Sequence, residues 1–330
     1  MLVSKNGLPS LGIEGRDHLG NCAFENVPTA LRRRAYDVDY VQLRDVLGGQ
    51  LWVTRHGWQH LETLDPASWY FDQQYTHRGT RLDGSGTVYR VPGKLESPEA
   101  TDLVVKFCRF GQDIRLDCPS TFPGGVPRHV LDSATFNDPL REFGLLEELR
   151  GSIFDLHGPR ILTKRPLAIF SPGKSVAAWQ LGRSDAVFQR FRQQLRADQQ
   201  RNAGLPSIDY SVDRQYVSIF EWVAGTDVQQ LIKQGTLSTS QAAFLVEAAV
   251  SDLQRKGFRV LDMKPDHLIV RVRSDGTLAR RQGGIAYVLV DFELLQRTPD
   301  YESWRERRDS TAHCSEPRVW ACASSTARCC

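Results

Sequence analysis

A lysine in an apolar stretch is the first residue of this sequence whose setting implies chemistry. Lys106 stands in the run Val104-Val105-Lys106-Phe107, where an unpaired ammonium would be costly to remove from water. The charge predicts an anionic partner, and Glu142 offers one because it begins a segment of helical spacing whose apolar stripe should pack on a sheet. Glu147 and Glu148 are rival partners. The alternative is an ordinary strand lysine whose ammonium snorkels to solvent.

A second group of charged residues lies in the last third of the chain. Asp262 and Lys264 are two residues apart, Pro265 blocks continuation of a helix, and an apolar stretch follows. This order predicts a carboxylate and an ammonium together at the mouth of a sheet. Asp291 comes directly after another apolar run, residues 285–290, which reads as a strand.

Two glycines precede Lys106 and stand between two strand-like runs. The turn Gly84-Ser85-Gly86 would let backbone N–H groups approach anionic oxygens with no Cβ in the way. Most such glycine pairs are plain hairpin turns, so the motif is weak by itself. It gains weight from the charged residues that follow it.

The elements that would position these residues alternate between strand and helix patterns. Strands are predicted at residues 87–91, 103–107, 166–170, 176–181, 216–223 and 285–290. A helix should begin after Asp138 and Pro139, which suit an N-cap and first turn. Further helices are predicted at residues 184–202, at 227–233, and from the Ser238–Gln241 capping box to Gly257. The order is that of an α+β protein with two unlike halves.

Together these stretches resemble the protein-kinase-like fold family, and the likeness is to an atypical or degenerate bacterial-type Ser/Thr kinase-like protein. In that family a Gly-rich loop is followed by a strand lysine, a helix glutamate, a hinge, a catalytic loop and a D-F-G motif. The matching stretches, in chain order, are residues 84–91, residues 104–106, Glu142, residues 220–227, residues 260–267 and residues 291–293.

The resemblance implies a bilobal α+β fold with a β-rich N-lobe and a truncated, mostly helical C-lobe. Its parts would be an N-terminal extension of unclear role (residues 1–74), an N-lobe with insertions (75–220), a hinge with an abbreviated C-lobe (221–300), and a disordered tail (301–330). The tail is assigned to disorder because its sequence has no periodicity of either kind.

The resemblance also implies a role for each matching residue. Asp262 would be the general base and Lys264 would neutralise charge on the transferring phosphoryl group. Asp291 and His267 would bind Mg²⁺, with Mn²⁺ an alternative because His267 replaces the usual asparagine. The residues expected to bind ATP are Gly84, Gly86, Val91, Val104, Lys106, Glu142, Phe220, Glu221 and Val223.

Several positions depart from the family pattern. Val260 and Leu261 replace the His-Arg pair, which argues against control by loop phosphorylation. Tyr89 stands where a third glycine belongs, and Glu293 replaces the glycine of D-F-G. The segment after Asp291 is too short for the helical half of an ordinary protein kinase.

These features predict an ATP-dependent phosphotransferase whose acceptor is a hydroxyl, either Ser/Thr or a small-molecule alcohol. The alternative is a pseudokinase, which would bind nucleotide or act as a scaffold without transfer.

Composition bounds the remaining partners. The chain has 330 residues, and its 42 Lys and Arg against 39 Asp and Glu give a net charge of +3, far from the basic balance typical of nucleic-acid binding. No apolar run approaches the length of a membrane span. Seven cysteines, three of them scattered, do not suggest a disulfide framework. We therefore expect a cytoplasmic protein with no nucleic-acid or membrane partner.

Overall fold

The structure is a computed structural model that describes residues 22–83, 86–93, 101–112, 126–154, 160–201, 204–281 and 284–314. These residues form a mixed α+β fold with one large antiparallel sheet and several helices, as the sequence predicted. In the described ranges, no helix combines the length and the apolar character needed to cross a membrane.

The strands are short, and half of them belong to the large sheet. In chain order they are β1 (Arg32–Ala35), β2 (Val38–Arg44), β3 (Gln50–Thr54), β4 (Thr80–Arg81), β5 (Val88–Val91), β6 (Leu103–Phe107), β7 (Leu162–Thr163), β8 (Pro166–Ser171), β9 (Val217–Glu221), β10 (Thr226–Asp227), β11 (Phe258–Val260), β12 (Leu268–Val270), β13 (Arg280–Arg281), β14 (Gly284–Ile285), β15 (Tyr287–Leu289) and β16 (Leu295–Arg297).

The helices vary from single turns to about four turns. They are α1 (Arg55–Trp58), α2 (Leu61–Leu64), α3 (Pro66–Trp69), α4 (Gln74–His77), α5 (Arg128–Asp132), α6 (Pro139–Gly151), α7 (Asp185–Gln199), α8 (Val228–Lys233), α9 (Thr239–Arg255) and α10 (Pro299–Cys314). Short 3-10 helices occur at Phe24–Asn26, Thr29–Leu31, Phe71–Gln73, Ala178–Leu181 and Pro265–His267.

The large sheet has eight strands in the order β1-β2-β3-β8-β9-β6-β5-β4, and every neighbouring pair is antiparallel. Side chains on a strand alternate between faces, so the register decides which residues share a face. Val88 of β5 pairs with Lys106 of β6. Val91, three residues after Val88 on β5, pairs with Leu103. Val88 and Lys106 therefore share one face, and Val91 and Leu103 share the other.

Apolar clusters cover both faces of this sheet. On one face Trp52, Ile169 and Phe220 pack in the cluster that includes Phe143 of α6. On the other face Val53, Val105 and Ile219 join the cluster that includes Leu64 and Trp69. The sheet is thus the middle layer of the molecule, and burial on both sides fixes its register.

A smaller sheet lies beside the large one, with the order β10-β12-β15-β7. Strand β7 runs parallel to β15, and the other pairs are antiparallel. Because β7 and β8 are separated only by Lys164 and Arg165, the two sheets are joined at this point. Two-stranded ribbons form between β11 and β16 and between β13 and β14.

Helix α6 forms where the sequence predicted it, with the predicted cap. Its N-cap is Asp138, whose side chain accepts a hydrogen bond from the Arg141 N–H at 2.9 Å, and Pro139 occupies the first turn. The Ser238–Gln241 capping box at the start of α9 also forms. Both caps are local interactions, which is why the sequence alone identifies them.

Three regions differ from the sequence-based predictions. The strand expected at residues 176–181 is instead a 3-10 helix, Ala178–Leu181, which ends at Gly182 with a positive φ of 65°. Residues 32–54 do not stand apart as an extension, because their three strands complete the large sheet. The disorder expected from residue 301 is wrong for residues 301–314, which belong to α10, since Tyr301 is buried against Phe258. Residues 315–330 lie outside the described part of the chain.

Candidate functional site

A cavity of about 540 Å³ lies between the large sheet and the segments that follow β11 and β15. Residues expected to form a site line it from four parts of the chain. They are Gly86 before β5 with Val104 and Lys106 in β6, Glu221 at the end of β9 with Val223 after it, Lys264 and His267 before β12, and Asp291 after β15. Arg109, Lys164 and Glu293 line it as well.

Lys106 is one of the buried charged residues that line the cavity. Its side chain leaves β6 on the face shared with Val88 and Val104, and the residue is only 5% exposed. Its Nζ lies 2.7 Å from Asp291 Oδ1 and 3.5 Å from Glu293 Oε1. Burial acts to lower the pKa of Lys106, but Asp291, Glu293 and Glu142 outweigh it and hold that pKa above its ordinary value.

Asp291 is the second centre of charge in the cavity. Its Oδ2 lies 3.6 Å from His267 Nε2, and its Oδ1 also accepts a hydrogen bond from the Glu293 N–H at 3.3 Å. Burial acts to raise the pKa of Asp291, but Lys106, His267 and Lys164 together hold it well below the usual range. We therefore expect Asp291 to be an anion at neutral pH.

Asp262 lies near this pair, in the turn after β11. Burial raises the pKa of its carboxyl, His267 opposes the shift, and Asp291 reinforces it. Asp262 is not among the residues that line the cavity, whereas Lys264 lines it, with its Nζ 3.9 Å from Asp266 Oδ2. A carboxyl with increased proton affinity beside a low-pKa carboxylate is an arrangement typical of acid–base chemistry.

Glu142 does not form the predicted ion pair with Lys106. No hydrogen bond or ion pair joins these two described residues, and the Oε1 atom of Glu142 is buried without a hydrogen-bond partner. The reason is that Glu293, at the position where the family has glycine, reaches Lys106 together with Asp291. Burial raises the pKa of Glu142, although Lys106 and Lys164 oppose the shift.

The two rival glutamates are engaged elsewhere. Glu147 lies 3.2 Å from His56 Nε2 and 3.4 Å from Arg150 Nε. The Oε2 atom of Glu148 lies 2.7 Å from Arg297 Nη2, and its Oε1 atom lies 3.3 Å from Arg305 Nη1. Neither is a partner of Lys106.

Three predicted ATP-binding residues do not line the cavity. Val91 is buried on the opposite face of the large sheet, because it lies three positions after Val88 on a strand whose side chains alternate between faces. Val88 lines the cavity instead. Phe220 lies behind the wall and packs against Phe143, with ring centroids 5.2 Å apart. Glu142 is likewise buried behind the wall. Gly84 lies outside the described residues.

Sequence reasoning missed two cations of the cavity. The Nη2 atom of Arg109 lies 2.6 Å from Glu293 Oε2, and its Cζ lies over the Phe136 ring, 4.1 Å from the ring centroid. Lys164 is only 4% exposed, with its Nζ 3.5 Å from the Phe220 ring centroid. The Lys-Arg-Pro stretch around residue 164 reads as a solvated turn, so no local signal distinguishes Lys164 from a surface lysine.

The predicted metal residues meet, but they do not form a complete protein cage. Among the described residues no group of three or more His, Cys, Asp or Glu is arranged to hold a metal ion. The side chains of Asp291 and His267 face each other, and the Nδ1 atom of His267 is buried without a hydrogen-bond partner. Because Mg²⁺ is commonly held by one or two carboxylates together with substrate phosphates and water, this donor set fits such an ion only with a phosphate ligand present.

Comparison with known proteins does not identify a family for this chain. No family model matches the chain, and no curated protein matches it. Among solved structures, WbdD co-crystallised with a kinase inhibitor is similar at a TM-score of 0.27 and 12% identity, over 72% of this chain and 38% of that chain. The chain therefore spans well under half the length of that protein. At this TM-score the likeness carries no argument about function.

Proposed function

We propose that this chain is an ATP-dependent phosphotransferase of the protein-kinase-like superfamily that transfers the γ-phosphate to a hydroxyl group. The acceptor would be a Ser/Thr side chain or a small-molecule alcohol. In this proposal the large sheet belongs to the β-rich lobe, the segments after β9 form the hinge and the abbreviated second lobe, and the cavity between them is the nucleotide site.

One observation carries the proposal. Lys106 and Asp291 are 185 residues apart in the chain, yet their side chains meet at 2.7 Å inside the cavity. Around them lie His267, 3.6 Å from Asp291, and Asp262, whose pKa is affected by both His267 and Asp291. A lysine and two aspartates brought together from three separate motifs in this way are what phosphoryl transfer requires, since its catalysis is mostly positioning and charge stabilisation.

In this proposal each part of the nucleotide has its own place in the cavity. The adenine ring would lie against Val88 and Val104, with its polar edge at the backbone of residues 221–223. That segment is held in position, because the Trp222 N–H donates to the Asp102 carbonyl at 2.9 Å. The phosphates would lie at the Lys106 end, beside Gly86, where an added Cβ would meet the side chains of Arg109 and Val88 no closer than 3.8 Å.

The reaction assigns a role to three charged residues. The acceptor oxygen would form a bond to the γ-phosphorus as the bond from that phosphorus to the β–γ bridging oxygen breaks, leaving ADP. Asp262 would take the hydroxyl proton, and its raised pKa increases its proton affinity. Lys264 would offset charge on the transferring group. Mg²⁺ or Mn²⁺ bound at Asp291 and His267 would neutralise phosphate charge.

A pseudokinase is the second candidate, and the contacts of Lys106 are what favour it. Asp291 and Glu293 both hold this lysine, and Glu142 does not pair with it. Protein kinases need the pair formed by the strand lysine and the helix glutamate for activity. A protein that kept the present pairs with nucleotide bound would bind ATP without transferring its phosphate.

Two measurements separate these candidates. Mg-ATP should raise the midpoint of thermal unfolding in both cases, because a ligand that binds only the native state stabilises it. Transfer of labelled γ-phosphate to protein or to added alcohols should occur only in the first case. Asp262→Asn should abolish transfer and leave the ATP-induced shift nearly intact, whereas Lys106→Ala should reduce the shift.

The matched control is Asp300→Asn, which makes the same change at an exposed aspartate in the first turn of α10. This variant should retain both transfer and the ATP-induced shift. A transfer rate that is unchanged in Asp262→Asn would show that Asp262 is not the base. Absence of any ATP-induced shift in the unmodified protein would refute both candidates.

A further inference from the structure

Lys164 occupies a rigid position at the junction of the two sheets. It follows β7, which pairs with β15, and it precedes β8 by one residue. Its own N–H donates a hydrogen bond to the Leu289 carbonyl at 3.2 Å. Because β15 leads directly to Asp291, the backbone of Lys164 is tied to the same strand that positions this predicted metal ligand.

The side chain of Lys164 points into the cavity rather than out to solvent. It belongs to the cavity lining, and its Nζ lies 3.5 Å from the centroid of Phe220 and 5.8 Å from that of Phe292. The charged end thus lies against the Phe220 ring in the cavity wall, with the Phe292 ring further away. An ammonium in such a place has lost most of its hydration and requires a counterion.

No carboxylate of the described residues forms an ion pair with Lys164. The acids that act on it electrostatically are Glu142, Asp291 and Glu293. Asp291 and Glu293 already pair with Lys106, and Glu293 also pairs with Arg109. Glu142 forms no ion pair with Lys164 either, so this lysine lines the cavity without a direct ion-pair partner among the described residues.

We propose that Lys164 is a second phosphate-binding cation of this cavity and acts with Lys106 on a polyphosphate chain. The proposal rests on the proposed function only in taking that chain to be the triphosphate of ATP. Two ammonium groups present up to six N–H donors, which suits the several oxyanions of a di- or triphosphate. A purely structural lysine that only packs on Phe220 is the alternative.

Equilibrium binding to the full chain tests the proposal with three probes. The probes are ATP, adenosine and inorganic tripolyphosphate, each titrated into the unmodified protein, Lys164→Gln and a control, Lys174→Gln. Lys174 is an exposed lysine outside the cavity lining. We expect Lys164→Gln to weaken binding of ATP and tripolyphosphate at least about tenfold. Binding of adenosine should be unchanged, and Lys174→Gln should behave as the unmodified protein.

Each outcome decides the proposal. If Lys164→Gln binds ATP and tripolyphosphate as tightly as the unmodified protein, Lys164 does not contact phosphate, and the proposed function is unaffected. If the unmodified protein binds tripolyphosphate through Lys164 but shows no preference for ATP, the phosphate site stands and the nucleotide function falls. If it binds neither, both are overturned.

A structural role would give a different pattern. In that case Lys164→Gln would weaken ATP and adenosine by the same factor, and this result would also overturn the proposal. Lys164→Met, which keeps the length of the apolar stem, serves as a second variant should Lys164→Gln fold poorly. Thermal unfolding of each variant without ligand establishes that it is folded.

Discussion

Replacing Lys164 by methionine should make the protein more stable at neutral pH. Most substitutions in a buried site destabilise, because they remove contacts or leave a cavity. Methionine preserves the unbranched stem that passes Phe220 but removes the ammonium. The change therefore isolates the cost of burying this charge.

The pKa of Lys164 sets the size of the effect. Burial and the neighbouring Lys106 lower the pKa from 10.5 to about 8. At about 1.4 kcal/mol per pH unit, a drop of this size means that the charged form costs about 3 kcal/mol in the folded state. Loss of the contact between the ammonium and the Phe220 ring offsets about 1–2 kcal/mol of that gain. We expect Lys164→Met to be more stable by about 1–2 kcal/mol at pH 7.

The sign of the pH dependence follows from the two states of the chain. Below about pH 8 Lys164 is charged both folded and unfolded, so the wild-type protein carries the full cost of burial. Between about pH 8 and 10.5 the unfolded chain binds a proton that the folded protein lacks, so wild-type stability rises with pH. The advantage of Lys164→Met should therefore shrink as pH rises through this window.

Urea unfolding at pH 7, 8, 9 and 10 measures the difference directly. Lys174→Met is the control, because an exposed lysine should give a difference near zero that does not change with pH. Removal of Lys164 also removes one of the two cations that oppose the raised pKa of buried Glu142, so we expect that pKa to rise further in the variant. A variant less stable than the wild type at pH 7, with a difference constant to pH 10, would refute this account of a buried, unpaired charge.

Three further predictions follow from other features. Gly257→Ala should lower the free energy of unfolding, measured by heat or urea, by about 3 kcal/mol or more, because the φ of Gly257 is +82° and a Cβ would overlap the Tyr301 ring. The control Gly276→Ala, at φ +79° with open space around it, should cost only about 1–2 kcal/mol, and equal costs would exclude the overlap as the cause. Asp138→Ala should lower the free energy of unfolding in urea by about 2 kcal/mol, because Asp138 caps α6 and also accepts a hydrogen bond from the Tyr210 hydroxyl. A loss of stability under about 0.5 kcal/mol would contradict this. The affinity for ATP should fall as pH rises past about 8, because Lys164 then loses its proton, and this fall should be absent in Lys164→Gln. The same dependence of ATP affinity on pH in both proteins would contradict the prediction.

The sequence predicts best the elements that depend on near neighbours. The Val88–Val91 and Leu103–Phe107 strands pair antiparallel as predicted, and both the Asp138 cap and the Ser238–Gln241 capping box form. Residues 32–54 show the limit of this reasoning. Their strands join the large sheet through β3 and β8, which are more than a hundred residues apart, and no local pattern specifies such a pairing.

The same limit applies to the site. Lys106, His267 and Asp291 come from three separate parts of the chain and line one cavity. The partner of Lys106 could not be predicted, because it depends on how far the Glu293 side chain reaches in the folded protein. Lys164 was missed for a related reason: its burial comes from two strands that meet only in the tertiary structure.

The continuity of the eight-stranded sheet constrains how the protein can be shortened. Strand β8 has neighbours on both sides, β9 and β3. A version beginning at residue 75 would leave one side of β8 with unpaired N–H and C=O groups beside the apolar surface of Phe170 and Ile169. Exposed strand edges of this kind recruit other chains. Expression of residues 75–330 alone should therefore yield aggregates, and soluble fragments must retain the strands between residues 32 and 54.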